Sequence, residues 1–184
     1  MPSQPPLVSI ITRTYRGREL YLRQAILSVA RQTYPNIEHI IVEDGGDSMQ
    51  FLIDEMQPAL PRSIRYFGLP KCGRSATGNH GLRQADGRWC LFLDDDDLLF
   101  ADHVEVLVNT LLSQTQSRAA YTLAWEVPTD SSQLTQGSYR EITYQVPPPL
   151  RQAFDYAVLR HHNFMPIQAV LFERSLYLER GGFD

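Results

Sequence analysis

Cysteine is scarce: the 184-residue chain has only Cys72 and Cys90. They stand far apart and neither has a CxxC neighbour. That speaks against a disulfide framework and a structural zinc site, and fits a reducing compartment. No apolar run approaches the roughly 20 residues that a membrane-spanning helix needs. The opening Met1–Pro6 lacks the basic-then-apolar layout of a secretory signal. The expectation is a soluble, cytoplasmic protein, with docking on the inner face of a membrane still compatible with the composition. A basic excess is lacking too. Lys plus Arg number 17 against 21 Asp plus Glu, a net charge of −4, so nucleic acid is not an expected partner. There is no internal repeat. What remains is an ordinary globular mix, 43% hydrophobic and 21% charged. A chain of this length buries a core without staples and is expected to form one domain over residues 1–184.

Strand and helix signals alternate through the first two thirds. Leu7–Ile11 is a short, β-branched apolar run that reads as a buried strand. Glu19–Gln32 carries Leu22, Ala25, Ile26 and Val29 at helical spacing. Ile37–Val42 is a second buried strand, halted by Asp44-Gly45-Gly46-Asp47. A short helix over Phe51–Met56 and a weaker strand over Ile64–Phe67 follow. Ser75–Ala85 reads as a helix of small residues, and Trp89–Leu93 as a fourth strand. Asp102 is placed to N-cap a helix through Val106, Leu107 and Leu111. Ala119–Val127 reads as a strand. Residues 128–150 are an irregular excursion rich in Ser, Thr, Gln and Pro, with one hairpin expected over Tyr139–Val146. Arg151–Arg160 is expected helical, Ala169–Glu173 a last strand, and Ser175 the start of a short helix. This order predicts an α/β fold, a mostly parallel sheet sandwiched by helices. In such sheets ligands collect beyond the carboxyl ends of the strands.

Three polar clusters fall at those ends: Thr12–Arg16, Glu43–Gly46 and Asp94–Asp97. Four adjacent carboxylates repel one another, and a divalent cation relieves that repulsion. Asp oxygens are hard ligands suited to Mg²⁺ or Mn²⁺, above all where the cation also holds phosphates. A solvated loop capping the next helix is the bland alternative, and the buried strand before it favours the metal. Asp44 can accept from a base N–H or a ribose hydroxyl, although Asp-Gly is also an ordinary turn pair. Thr14 offers a hydroxyl and Tyr15 a ring face to a nucleoside, and Arg13 and Arg16 offer charge to phosphates. Lys71–Ser75 opens a helix, where an anion is favoured, with Arg74 beside it. His39 and His80 are expected to pack. His161 and His162 are adjacent and cannot share one helix face.

Val8–Asp47, Gly73–Leu107 and Asn163–Asp184 together resemble the nucleotide-sugar-dependent glycosyltransferases of the GT-A fold, family 2. The resemblance rests on the helix followed by QTYPNIE and an acidic DG turn, the Asn-x-Gly helix and the LDDDD turn. It implies a divalent cation (Mn²⁺ or Mg²⁺), a nucleotide-diphospho-sugar donor such as a UDP-sugar, and transfer with inversion to a saccharide or lipid-linked acceptor. A role in surface polysaccharide assembly fits the family. By position it implies Thr14 and Tyr15 beside the nucleoside and Asp44 at the base. Asp96 and Asp94 fall at the acidic positions of the DxD motif as metal ligands. Asp94 or Asp95 would meet the ribose or a metal-bound water, and Arg74 would meet the donor. Two departures stand out. Arg13 and Arg16 flank Thr14-Tyr15 where relatives carry Pro and Asn. The chain also ends at GGFD, while the family's general base lies further on. The expectation is therefore a chain that lacks the C-terminal part of the family domain, with its base beyond Asp184. Uncovered acceptor-side surface would then favour a homodimer. A non-catalytic nucleotide-sugar-binding module is the alternative, separated by acceptor-dependent release of nucleoside diphosphate. A nucleotidyltransferase would release pyrophosphate and usually shows a Gly-rich phosphate loop, of which TRTYRGRE is a poor version.

Overall fold

The first strand, β1 (Val8–Thr14), is buried along its whole length, and its alternation sets the layers. Val8 and Ile10 face one side of the sheet, where they join Ala25, Val29, Leu91, Val104 and Leu107. Ile11 faces the other, with Ile40, Val42, Leu82 and Phe92. A strand covered on both faces needs apolar residues on both, which Val8, Ile10 and Ile11 supply, and its buried polar residues must find partners within the fold. The computed structural model describes residues 4–134 and 137–184.

Helix α1 (Glu19–Ala30) leads to β2 (Ile37–Asp44), α2 (Gln50–Met56), β3 (Ile64–Leu69), α3 (Arg74–Gln84) and β4 (Trp89–Asp94). Then come α4 (His103–Ser113), β5 (Ala119–Tyr121), the two-residue strands β6 (Thr129–Asp130) and β7 (Arg140–Glu141), α5 (Tyr156–Leu159), β8 (Val170–Glu173) and α6 (Arg174–Arg180). The main sheet has the order β3-β2-β1-β4-β8-β5. Its first four strands are parallel, and β8 is antiparallel to both β4 and β5. The expected mostly parallel sheet between helices is what forms. Because β2 and β4 flank β1, the chain reverses its direction of travel across the sheet at β1. The crevice beyond such a reversal is where open α/β sheets bind ligands.

Several boundaries differ from expectation. Strand β1 runs past Ile11 to Thr14, because β4 pairs it out to Arg13 and β2 out to Thr14. Strand β5 stops at Tyr121 instead of reaching Val127. Its partner β8 begins at Val170, after a 3₁₀ turn at Ile167–Ala169, so no ladder continues. The hairpin does not form within Tyr139–Val146. β7 pairs instead with β6, and a bridge joins Glu126 to Gln145. Only Tyr156–Leu159 of the expected Arg151–Arg160 helix forms, capped by Asp155 on the N–H groups of Ala157 and Val158. Asp102 stands before α4, but its side chain caps nothing. Gln32 does that work: its Oε1 accepts the Val104 N–H at 3.1 Å, and its Nε2 donates to the Phe100 carbonyl at 2.7 Å.

Candidate active site

The carboxyl ends of β1, β2 and β4 lie side by side, and the three polar clusters meet there. Arg13 and Asp94 are register partners across the β1–β4 ladder. Buried Arg13 donates to Asp94 Oδ1 from Nε at 2.9 Å and from Nη2 at 2.6 Å. The other Asp94 oxygen takes Arg74. Asp95 is buried; its Oδ2 accepts from Thr14 Oγ1 at 2.7 Å, and its Oδ1 from Arg18 at 2.8 and 3.1 Å. Arg18 also reaches Asp96 Oδ2 at 2.6 Å.

The acidic run is therefore not left to repel itself. Three guanidinium groups, those of Arg13, Arg18 and Arg74, offset it. Burial holds the Asp95 carboxyl above the ordinary range in spite of Arg18 and Thr14. Burial opposes the charge on Arg18, yet Asp95 and Asp96 raise its pKa further. Asp97 has no ion-pair partner among the described residues. Burial, with the charges of Asp96 and Asp94, pushes its carboxyl up to about 7. No group of three or more acidic, His or Cys side chains is preassembled around one metal position among the described residues.

Asp44 sits at the end of β2. Its Oδ1 accepts the N–H groups of Cys72 and Gly73 at 2.7 and 3.1 Å, and its Oδ2 meets Lys71 Nζ at 2.7 Å. Burial opposes this arrangement, but Lys71 and the two N–H groups bring the carboxyl down to about 2. The glycine pair beside it adopts positive φ, 111° and 133°, which lets both N–H groups reach the Leu69 carbonyl. Glu43, one residue earlier, has a different task. It accepts from the Ser48 and Met49 N–H groups and so seats the start of α2. Tyr15 is half exposed, with Lys71 Nζ 5.9 Å and the Arg18 guanidinium 5.4 Å from its ring centre.

Two sequence expectations change. Thr14 does not present a free hydroxyl, since Asp95 holds it, and Arg13 is committed to Asp94 rather than open to phosphate. Tyr15, Asp44, Arg74, Asp94, Asp95 and Asp96 do come together at one edge of the crevice. Arg18 also belongs to the cluster and carries no signal in the sequence beyond its charge, whereas Asp97 is legible there as the last member of the acidic run. His39 and His80 pack, as expected. His39 Nε2 lies 2.9 Å from Thr12 Oγ1, and His80 lies against Phe67.

On the α4 side of the acidic loop opens a cavity of about 770 Å³. Arg18, Asp96 and Asp97 line it, together with Trp125 and with Tyr139 and Tyr144 from the excursion. Tyr139 stacks on Tyr21 at 5.3 Å and so ties the excursion to α1. Among the described residues no helix is long and apolar enough to cross a membrane.

Known proteins resemble this chain in sequence and in fold. The model of Glycosyl transferase family 2 matches residues 9–165. A glycosyltransferase of Haemophilus influenzae is 38% identical over 108 residues, covering 58% of this chain and 43% of its own length. The glycosyltransferase GlyA of Streptococcus pneumoniae is 32% identical over 105 residues, 57% of this chain and 15% of its own. The chain thus spans less than half the length of these relatives. Among solved structures, S. aureus TarS 1-349 in complex with UDP-GlcNAc superposes with a TM-score of 0.66 at 17% identity, covering 94% of this chain and 47% of that one. The mannosyltransferase PcManGT of Pyrobaculum calidifontis, in complex with GDP-Man and Mn²⁺, gives 0.65 at 19% identity, covering 100% and 49%. The fold is that of the GT-A glycosyltransferases, and the chain belongs to glycosyl transferase family 2.

Proposed function

We propose that this domain binds a nucleotide-diphospho-sugar, a UDP-sugar in the first instance, together with a divalent cation, and transfers the sugar with inversion to an acceptor hydroxyl. One observation carries the reading: a cluster of arginines and carboxylates stands at the sheet's reversal point, with the half-exposed Tyr15 ring beside it and a cavity of about 770 Å³ opening from Asp96 and Asp97. Tyr15 would stack on the base and Asp44 would accept its N–H. The donor set suits a hard cation, being all carboxylate oxygen, with Asp96 the most accessible member. Asp96 and Asp94 would hold it, and when bound it would stabilise the charge that develops on the leaving diphosphate. Arg74, exposed at the start of α3, is placed to add to that stabilisation. In the transfer the acceptor oxygen forms a bond to the anomeric carbon as the bond to the diphosphate breaks. The hydroxyl proton passes to a base, a role assigned to none of the described carboxylates. The cavity beside Asp96, with its aromatic lining, suits a saccharide or lipid-linked saccharide acceptor. The neighbours that bind UDP-GlcNAc and GDP-Man support the donor class.

Calorimetric titration with UDP, GDP, CDP and their sugar conjugates, with and without Mn²⁺, tests this. Metal-dependent binding of one nucleotide is expected, lost in Asp96→Asn with the fold intact. Binding of none, or binding indifferent to that substitution, sinks the assignment. Release of nucleoside diphosphate on adding an acceptor separates a transferase from a binding module.

A further inference from the structure

Arg18 holds two carboxylates by unequal grips. On one side is Asp95, with only 5% of its side chain exposed and its other oxygen occupied by Thr14. Breaking that pair would strand a buried charge, which is costly. On the other side is Asp96, 54% exposed, facing the cavity, with no other ion-pair partner among the described residues. The guanidinium also lies 4.4 Å from the ring centre of Tyr21 and 5.4 Å from that of Tyr15. These aromatic faces and Asp95 keep it in place whether or not Asp96 stays bound. The Asp95 contact is the anchor and the Asp96 contact is the exchangeable one.

We propose that Arg18 is a tethered cation that occupies Asp96 until a divalent ion takes that carboxylate, so that metal and guanidinium compete for it while Arg18 remains on Asp95. This rests on the reading of Asp96 as a metal ligand. Two cations sharing one carboxylate repel each other at close range, so the ion binds the free protein weakly. An arriving diphosphate supplies the anionic oxygens that satisfy both the ion and the Nη2 released from Asp96. Metal and donor then bind cooperatively through a side chain that need not leave its seat.

The test is Mn²⁺ alone, titrated into the protein without nucleotide and followed by the electron paramagnetic resonance signal of the free ion. Arg18→Gln is expected to bind Mn²⁺ about tenfold more tightly than wild type, roughly 1.4 kcal/mol. Arg18→Lys, which keeps the charge, is expected to stay within about threefold of wild type. Wild-type binding with no tightening in Arg18→Gln overturns the competition and leaves the metal assignment standing. Absence of Mn²⁺ binding in both proteins, with UDP present as well, overturns the two together. A second measurement uses the wild-type protein alone, with nitrogen-15 in its arginines. Mg²⁺ should speed rotation of the Arg18 Nη groups while leaving the Nε–H resonance hydrogen-bonded. Unchanged Nη dynamics at saturating Mg²⁺ count against the exchange.

Discussion

Arg13 and Asp94 face each other across the β1–β4 ladder, and both donors of the pair, Nε and Nη2, converge on a single carboxylate oxygen. Neighbours in parallel register share a sheet face, so the strand pairing itself aims the guanidinium at the acid. The pair is nearly buried, and such pairs punish the loss of one partner more than the loss of both. Asp94→Ala is expected to destabilise the fold by about 3 kcal/mol, because it strands the Arg13 charge. Combining it with Arg13→Met should cost less than the sum of the singles, with a coupling of about 2 kcal/mol. Additive costs in denaturant unfolding would show that the two do not depend on each other.

Helix α3 rides close against β1 because Gly81 has no side chain. A Cβ built there would stand 2.3 Å from Ile11 Cγ2. In an exposed helix Gly→Ala helps by up to about 1 kcal/mol. Here Gly81→Ala is expected to destabilise by about 1–3 kcal/mol through overpacking. The displaced helix would also carry Arg74 away from Asp94, so Mn²⁺-dependent nucleotide binding should weaken. Ile11→Ala in the same chain removes the clashing Cγ2, so the double variant should cost less than the sum of the two single changes. A stabilised Gly81→Ala protein would mean that the helix has room to spare.

These two cases show what the sequence discloses. The apolar run of β1 is legible up to Ile11, where hydrophobicity ends. The strand continues because Thr12, Arg13 and Thr14 find His39, Asp94 and Asp95, partners 27 and 81 residues away along the chain. No local pattern announces a polar strand end satisfied at such a distance. The acidic loop is legible because charge after a buried strand is rare. Its neutralisation by Arg18 is not, since that arginine sits in a polar leader to α1 that looks like solvated surface. The excursion resists for another reason: its strands are two residues long, held by pairing rather than by a periodic core face.

His39 is fully buried within β2, and burial brings its imidazole down to about 3. The folded protein therefore holds it neutral, while the unfolded chain takes up a proton below about 6.5. Between these values the unfolded state binds more protons, so stability is complete above about 6.5 and falls as pH drops toward 3. The slope from this one group is about 1.4 kcal/mol per pH unit. His39→Gln, which keeps a partner for Thr12, is expected to flatten the acid limb by that amount in unfolding curves at pH 4 to 7. An unchanged slope would place His39 in contact with water.

Asp44 has two possible uses that one substitution separates. Its inner oxygen organises the turn before α3 through the Cys72 and Gly73 N–H groups, and its outer oxygen meets only the exposed Lys71. Asp44→Asn can keep the inner acceptor while turning the outer oxygen into a donor. If Asp44 merely shapes the turn, that change leaves UDP affinity within about twofold. If its outer oxygen accepts the base N–H, the new NH₂ group opposes it, and a buried unmatched donor costs about 1–3 kcal/mol. The expected result is UDP binding weakened at least tenfold, roughly 1.4 kcal/mol, with little change in thermal midpoint. Lys71→Ala, which removes only the cation in front of that oxygen, should cost far less. Calorimetry on the two variants beside wild type, at fixed Mn²⁺, decides between reading the base and shaping the turn.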